Sequence, residues 1–269
     1  MFEPMYIITQ LNIYPIKGMS GIALNEAHIS PSGFLFDRNW MLVDKHLEFI
    51  SQRNLPEMAL VKVKIQGDEV QVSYKNDQLT FGVQEAIGAP MAVKVWDDFP
   101  LALRVNEAID EQISQWFERE LSLVKIVQGS REIPKGYIEK TYNLSLADGF
   151  PYLLIGESSL VDLNQRLPEA ISMNRFRPNI VFSRGEAFVE DTFNEFLIGS
   201  NRFKMAKPCA RCNVTTINQE TAVQSKEPLA TLAKYRTVNN KVMFGANVIA
   251  LNENGSISIG DAVLPLTYK

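Results

Sequence analysis

The amino-acid sequence predicts an α+β fold that is mostly β, with barrel-like domains and a few peripheral helices. Short runs that alternate apolar and polar residues recur through the first hundred positions, and they are rich in β-branched and aromatic side chains. Only a few segments show helical periodicity. The chain also lacks the glycine-rich dinucleotide-binding fingerprint, which would have favoured a doubly wound parallel sheet.

The first half of the chain is predicted to fold into short strands. Turn residues such as Gly-Asp, Asn-Asp and Pro separate the alternating runs. We therefore predict strands over residues 6–13, 40–43, 60–65, 70–74 and 91–96.

One helix and one long loop interrupt this pattern. Asn106 is a suitable N-cap, and apolar residues follow it at helical spacing. A strand is predicted over residues 123–127, and residues 128–148 are the best candidate for a flexible flap or an inter-domain connection. The apolar face of the helix consists of Ile109, Ile113, Trp116 and Phe117.

The second half mixes strands with helices. Asn254-Gly255 is a strong turn signal, so we predict that a closing hairpin pairs residues 248–251 with residues 256–264. Helical spacing predicts helices over residues 158–167 and 227–236. The remaining apolar patterns predict strands over residues 152–155, 179–182, 195–198 and 213–217.

The composition limits the function. The 269 residues carry a net charge of −4 and are 46% apolar, which suits one large domain or two modest ones. We expect no nucleic-acid partner, because an acidic chain has no overall basic face. No apolar run is long enough to span a membrane, and residues 1–5 lack the basic start of a signal peptide. We therefore expect no membrane contact and a cytoplasmic location, where thiols stay reduced.

Cys209 and Cys212 are the only cysteines in the sequence, and Arg211 lies between them. A soft sulfur ligand beside a fixed positive charge suits a soft metal that is carried on an anionic organic cofactor. Two alternatives remain open for the pair. The cysteines are two small buried residues, or they belong to a zinc site that carboxylates or the distant His28 and His46 complete.

A thiol–disulfide centre is a further alternative for this Cys-x-x-Cys pair. Such a motif normally opens a helix, whose N-terminus lowers the pKa of the attacking thiol. Residues 213–217 are instead rich in β-branched side chains and predict a strand. Residues three apart in a strand point to opposite faces, so we expect one cysteine to face a pocket. This geometry favours a single metal-bound or reactive thiolate.

Several short motifs resemble those of the MOSC family, which is named after the C-terminal domain of molybdenum cofactor sulfurase. They follow the order of the family along nearly the whole chain, and they are most similar to the mitochondrial amidoxime-reducing components and their bacterial relatives. The motifs are Tyr14-Pro15-Ile16-Lys17-Gly18, Asp37-Arg38-Asn39-Trp40, Phe176-Arg177-Pro178-Asn179-Ile180-Val181, Cys209-Ala210-Arg211-Cys212-Asn213-Val214-Thr215-Thr216-Ile217, Ser225-Lys226-Glu227-Pro228-Leu229, Phe244-Gly245 and Gly260-Asp261.

The resemblance implies a MOSC N-terminal β-barrel domain over residues 1–125 and a MOSC domain over residues 126–269. It also implies a molybdenum cofactor, molybdopterin, which bears a dithiolene and a terminal phosphate. Cys212 would be the catalytic residue and the thiolate ligand of molybdenum, whereas Cys209 would have no direct role. Gly18 and Ala210 stand where some relatives carry serine. The positions that match cofactor contacts of the family are Lys17, Arg38, Arg177, Asn179 and Arg211.

The function implied by the resemblance is the reduction of N-hydroxylated compounds, namely amidoximes, hydroxylamines and N-hydroxylated bases. Two cysteines are fewer than the four that bind an iron–sulfur cluster, so a separate flavin or iron–sulfur protein would supply the electrons. Asp37 and Asp148 are candidate proton donors. The alternative functions are a carrier of the molybdenum cofactor or of a persulfide on Cys212, and a simple cysteine redox protein. Pyridoxal phosphate binding is also associated with the family.

Overall fold

The computed structural model describes residues 6–138 and 140–269. Within these ranges the chain contains nineteen strands and three α-helices, so the prediction of a mostly β fold is confirmed. The prediction that the chain starts without a signal peptide concerns residues 1–5, which lie outside the described residues. No helix in the described ranges has the length and apolarity that crossing a bilayer requires.

The secondary structure elements follow one another in chain order. The strands of the first half are β1 (Tyr6–Ile13), β2 (Ile22–Leu24), β3 (Glu26–Ser30), β4 (Gly33–Phe34), β5 (Trp40–Val43), β6 (Lys62–Gln66), β7 (Glu69–Tyr74), β8 (Asp77–Gly82), β9 (Ile87–Ala92), β10 (Leu101–Arg104) and β11 (Ser122–Ile126). Those of the second half are β12 (Tyr152–Gly156), β13 (Ile180–Ser183), β14 (Phe193–Ile198), β15 (Asn201–Ala210), β16 (Thr237–Val238), β17 (Lys241–Ala250), β18 (Gly255–Ser258) and β19 (Ala262–Tyr268). The helices are α1 (Glu107–Phe117), α2 (Glu157–Asn164) and α3 (Leu229–Ala233), and the 3-10 turns are Pro56–Leu60, Met173–Phe176, Val189–Asp191 and Asn213–Thr216.

Seven strands close into a barrel. Their order is β12-β13-β1-β19-β14-β15-β17, and β17 returns to pair with β12. Inward-facing residues fill the interior with large side chains such as Tyr152, Phe182 and Phe203, because alternate residues of a strand point to the same side. β1 lies between β13 and β19, so the first half contributes a strand to this barrel. The division of the chain into domains 1–125 and 126–269 stays a prediction.

The other strands of the first half form smaller sheets. One has the order β5-β11-β10-β9, and a second consists of β6, β7 and β8. Helix α1 covers a core that contains Trp40, Ile109 and Ile113. The predicted cap of this helix is confirmed, since Asn106 Oδ1 accepts a hydrogen bond from the backbone N–H of Ala108 at 2.8 Å.

The strand predicted over residues 213–217 was wrong. β15 ends at Ala210, and residues Asn213–Thr216 form a 3-10 turn. The hydroxyls of Thr215 and Thr216 donate to the backbone carbonyls of Cys212 and Asn213 at 3.0 and 2.7 Å. Such local bonds from threonine to the backbone support a turn, so they outweigh the β propensity of the branched side chains.

The closing hairpin was also wrong. The chain does turn at Gly255, which has φ of +138°. The strand that follows, β18, pairs with β3, whereas β17 pairs with β15 and β12. Non-local pairing therefore decides where the strand lies, and the local turn signal carries no information about the partner. The last predicted helix is shorter than expected: α3 begins after Pro228, and Glu227 Oε2 accepts a hydrogen bond from the backbone N–H of Thr231 at 3.0 Å.

Candidate functional site: a cationic cleft

The predicted site residues meet in one cleft, which has a volume of about 320 Å³. Lys17 follows β1, Arg38 follows β4, and Arg177 ends the 3-10 turn Met173–Phe176. The other walls are the end of the 128–148 segment and the end of β15. The structure therefore brings together all six predicted residues, namely Lys17, Arg38, Arg177, Asn179, Arg211 and Cys212.

Both cysteines line the cleft, which corrects the expectation that only one would face a pocket. That expectation assumed an extended strand through Cys212, but the strand ends two residues earlier, at Ala210. Cys212 precedes the turn Asn213–Thr216 and is exposed, whereas Cys209 is half-buried. Cys212 is thus the more accessible thiol in the cleft.

Arg211 is held against the wall beside the cysteines. Its Nη2 donates to the carbonyl oxygen of Phe176 at 2.7 Å, and its Nη1 donates to Cys209 Sγ at 3.1 Å. Its buried Nε has no hydrogen-bond partner among the described residues. Buried donors are normally paired, so this N–H is a donor that the described residues leave unsatisfied.

Arg38 belongs to a buried polar network behind the cleft. It pairs with Asp37, whose side chain is 1% exposed, and Asp37 Oδ1 also accepts from the backbone N–H of Tyr14 at 2.7 Å. Burial opposes the charge of Arg38, but the Asp37 carboxylate outweighs it and raises the pKa of Arg38. Asn179 Oδ1 accepts from Arg38 Nη1 at 3.0 Å, and its Nδ2 donates to the carbonyl of Asn12 at 3.1 Å. Asn179 therefore positions Arg38.

Arg177 has no carboxylate partner among the described residues. Its guanidinium stacks on the ring of Tyr14 at 4.2 Å, and Arg38 stacks on the same ring at 4.7 Å. Its Nη1 also donates to Gln219 Oε1 at 3.4 Å. Burial lowers the pKa of Arg177 to about 10, so the side chain stays protonated at neutral pH. The cleft thus contains a half-buried cation that forms no ion pair among the described residues, although the charges of Asp37 and Asp148 partly offset the effect of burial on its pKa.

Lys17 and Asp148 form the one ion pair seen across the cleft in the described residues. Lys17 Nζ donates to Asp148 Oδ1 at 2.5 Å and to the carbonyl of Leu146 at 2.8 Å. Trp96 Nε1 also donates to Asp148 Oδ1, at 3.1 Å. Burial raises the pKa of Asp148, but the Lys17 charge and both hydrogen bonds more than offset it, so this pKa lies well below its usual value. Asp148 is ionised at neutral pH and cannot donate a proton.

The segment that carries Asp148 is tied to the body of the protein. Buried Arg131 binds Asp98 and donates to the carbonyls of Ser145, Ala147 and Asp148. Residues 128–148 form no regular helix or strand in their described part, as predicted. Arg131 fixes the end of this segment at the mouth of the cleft.

Sequence reasoning missed two further cations of the cleft, Arg53 and Lys207. Arg53 stacks on Trp96 at 4.0 Å, and Lys207 lies 5.1 Å from the ring centre of Phe150. Arg53 belongs to no recognisable motif. Lys207 precedes Pro208-Cys209 directly, so its place beside the cysteine motif was the available signal.

Charge in the cleft is strongly one-sided. Among the described residues that line it, the carboxylate of Asp148 faces six cations: Lys17, Arg38, Arg53, Arg177, Lys207 and Arg211. The whole chain is acidic, so this is a local concentration of positive charge. Aromatic faces hold several of these cations in place without neutralising them. The cleft therefore suits an anionic guest.

The donor set fits molybdopterin. A phosphate and an electron-rich dithiolene need cationic hydrogen-bond donors, and arginine presents several in one plane. The unpaired Nε of Arg211 and the guanidinium of Arg177, which forms no ion pair among the described residues, are such donors. An exposed thiol that can act as a soft metal ligand lies beside them at Cys212. Among the described residues, no group of three or more His, Cys, Asp or Glu side chains is arranged to hold a metal ion.

Two domain families match the sequence. The MOSC N-terminal beta barrel domain matches residues 5–122, and the MOSC domain matches residues 141–264. The mitochondrial amidoxime reducing component 2 of Rattus norvegicus is 31% identical over 282 residues, which cover 95% of this chain and 82% of that protein. The mitochondrial amidoxime-reducing component 1 of Homo sapiens is 30% identical over 287 residues, which cover 98% of this chain and 84% of that protein.

A longer relative also matches. The molybdenum cofactor sulfurase of Arabidopsis thaliana is 30% identical over 267 residues, which cover 90% of this chain. The chain spans 33% of the length of that sulfurase.

Proposed function

Because this chain belongs to the MOSC family, we propose that it is a molybdenum-cofactor-dependent oxidoreductase that reduces N-hydroxylated compounds with electrons from a separate reductase. The observation that carries this proposal is the exposed thiol of Cys212 at the edge of a cleft with six cations. The names of two relatives, both amidoxime-reducing components, support the reaction class.

The chain's own residues would hold the cofactor at both of its ends. Cys212 would supply the sulfur ligand to the metal, and Arg211 would fix that end through its free Nε. Arg177, Arg38 and Lys17 would neutralise the anionic parts of the cofactor. The molybdenum cofactor, when bound, supplies two-electron chemistry that removes oxygen from an N–OH group.

Binding an anion would change the energetics of the cleft. Arg177 is half-buried and forms no ion pair with a carboxylate in the described part of the chain, so its charge lowers stability until an anion binds. Arg38 differs, because Asp37 already compensates it. We therefore assign most of the anion-binding energy to Arg177 and Arg211, and we assign a positioning role to the Arg38–Asn179 pair.

Proton supply follows from the same electrostatics. The candidate donor Asp148 is ionised, and the other candidate, Asp37, is buried and accepts bonds from Arg38 and Tyr14. The ammonium group of Lys17 is instead a proton donor in the cleft, and it donates a hydrogen bond to Asp148. Burial lowers the pKa of Lys17, which makes its proton easier to release than that of a solvated lysine.

The test is N-reduction by protein expressed with molybdate. A model amidoxime is the substrate, and a chemically reduced dye replaces the unidentified reductase. We expect turnover in the native protein and in Cys209→Ala, and loss of turnover in Cys212→Ala. Cys212 is exposed, so its substitution should leave the unfolding midpoint of the cofactor-free protein unchanged. Equal activity of Cys212→Ala and the native protein would refute the assignment.

A second function, carriage of the cofactor or of a persulfide, is favoured by the similarity to a sulfurase and by the exposure of Cys212. Mass spectrometry of the native thiol separates the two functions. An adduct of one sulfur on Cys212 without molybdenum supports sulfur transfer. Molybdenum without such an adduct supports the reductase.

A further inference from the structure

A second polar cavity, of about 290 Å³, lies behind the cationic cleft. The 3-10 turn Met173–Phe176 lies between the two, since Phe176 lines the cleft and Asn174 lines the second cavity. Arg177 lines the cleft, whereas Arg175, two residues earlier, lines the second cavity. Gln219 also separates them, since it lines the second cavity and accepts a hydrogen bond from Arg177 at 3.4 Å.

Arg175 lies in this cavity as an uncompensated buried cation. The residue is 9% exposed, and its buried Nη1 has no hydrogen-bond partner in the part of the chain that the structure describes. No carboxylate within the described residues forms an ion pair with it. Burial lowers the pKa of Arg175, and no neighbouring charge opposes this effect. A buried charge without a partner is unfavourable, so this guanidinium is expected to stabilise the protein only when a ligand binds it.

Other donors point to the same kind of guest. Ser172 Oγ donates to Asn174 Oδ1 at 2.6 Å, which engages the amide oxygen of Asn174. Asn218 Oδ1 accepts from the backbone N–H groups of Glu220 and Thr221 at 2.8 and 3.2 Å. With both amide oxygens occupied, the NH₂ groups of the two asparagines are left to donate. The cavity thus offers donors to an acceptor, which is the arrangement that binds an anion.

Two carboxylates set the charge of that anion. Glu169 and Glu220 also line the cavity, but both are exposed, whereas Arg175 is buried. The two negative charges repel a doubly charged ligand such as sulfate more strongly than a singly charged one. A singly charged carboxylate matches the single guanidinium and makes two parallel hydrogen bonds with it.

We propose that this cavity is a binding site for small monovalent carboxylates, with Arg175 as the residue that binds the carboxylate group. The site is separate from the cleft and does not depend on the proposed function. Ligand binding at this site requires neither of the two cysteines and no metal ion.

The test is thermal unfolding of the protein in rising sodium acetate or sodium sulfate at constant ionic strength, with chloride as the balancing anion. Because the cationic cleft can also bind either anion, the measured quantity is the part of the rise in midpoint that Arg175→Gln removes, and this part should be saturable and larger with acetate than with sulfate. Arg175→Gln should abolish this part of the rise or weaken acetate binding by at least about tenfold, the value of one charged hydrogen bond. Cys212→Ala should behave like the native protein, which separates this result from failure of the proposed function.

Arg166→Gln is the matched control, because Arg166 is an exposed arginine paired with Asp162 on α2. It should keep the acetate response. The proposal is overturned if the native protein shows no saturable rise, if Arg175→Gln keeps the whole rise, or if the part of the rise that Arg175→Gln removes is larger with sulfate than with acetate. In chloride alone, Arg175→Gln should be at least as stable as the native protein. A lower midpoint in chloride would show a structural role for Arg175 and would also overturn the proposal.

Discussion

The two arginines that stack on Tyr14 should respond in opposite ways to the same substitution. Arg177 has no acid partner, and its pKa falls from 12.5 to about 10 on burial. A fall of this size corresponds to a cost of about 3 kcal/mol at neutral pH, less a discount for partial exposure. Loss of the stacking on Tyr14 costs ~1 kcal/mol. We expect Arg177→Met to stabilise the cofactor-free protein by about 1–2 kcal/mol.

Arg38→Met should do the reverse. It would leave the Asp37 carboxylate, which is 1% exposed, without its ion-pair partner. Breaking a buried ion pair from one side costs about 3 kcal/mol or more. Methionine keeps the apolar stem in both variants, and both positions have left-handed backbone with φ of +52° and +54°. The two variants therefore differ mainly in whether a buried acid loses its partner.

The assay is urea unfolding of the cofactor-free protein at pH 7, followed by tryptophan fluorescence. Equal slopes in the native protein and both variants are required, so that the midpoints report stability. Arg177→Met should unfold at higher urea than the native protein, and Arg38→Met at lower urea. Destabilisation of both variants by similar amounts would refute the claim that Arg177 is uncompensated.

The remaining predictions concern a buried acid and two glycines. Burial raises the pKa of Glu190 to about 7 from 4.5. The native protein therefore loses stability as the pH rises from 4.5 to 7. The free energy of unfolding of Glu190→Gln, measured in urea, should increase relative to that of the native protein by up to about 3 kcal/mol between pH 5 and pH 8. A constant difference would contradict this. Gly18 has φ of +88°, and an added Cβ would lie 2.8 Å from Met58 Cε. Gly18→Ala should lower the free energy of unfolding by more than the ~1–2 kcal/mol that a left-handed backbone costs a residue with a Cβ. Gly129 has φ of +78° and open space around it, so Gly129→Ala should lower the free energy of unfolding by only ~1–2 kcal/mol. Equal unfolding midpoints of the two glycine variants would show that Met58 moves aside freely.

Local sequence patterns predicted the bounds of several strands, but they did not predict which strands pair with each other. β1 and β5 have the predicted bounds, since alternation and β-branched content define a strand without naming its neighbour. β18 was misplaced because its pairing with β3 joins residues more than two hundred positions apart. The turn at Asn213–Thr216 was missed because hydroxyl bonds to the backbone, which no apolar pattern reports, decide it.

Only the cleft residues that belong to recognisable sequence motifs could be predicted. The motif arginines and Cys212 do meet in the structure. Arg53 and Arg175 could not be assigned, because their roles depend on which aromatic ring or acid lies near them after folding. The absence of an acid partner beside Arg177 is likewise a property of packing. Sequence shows that an arginine is present, and the fold decides whether its charge is compensated.

Metal analysis of the purified native protein, beside Cys212→Ala and Cys209→Ala, determines whether the Cys212 thiol binds molybdenum. We expect stoichiometric molybdenum in the native protein and in Cys209→Ala, and none in Cys212→Ala. Molybdenum that persists without the Cys212 thiol, or its absence from native protein grown with ample molybdate, would contradict the account.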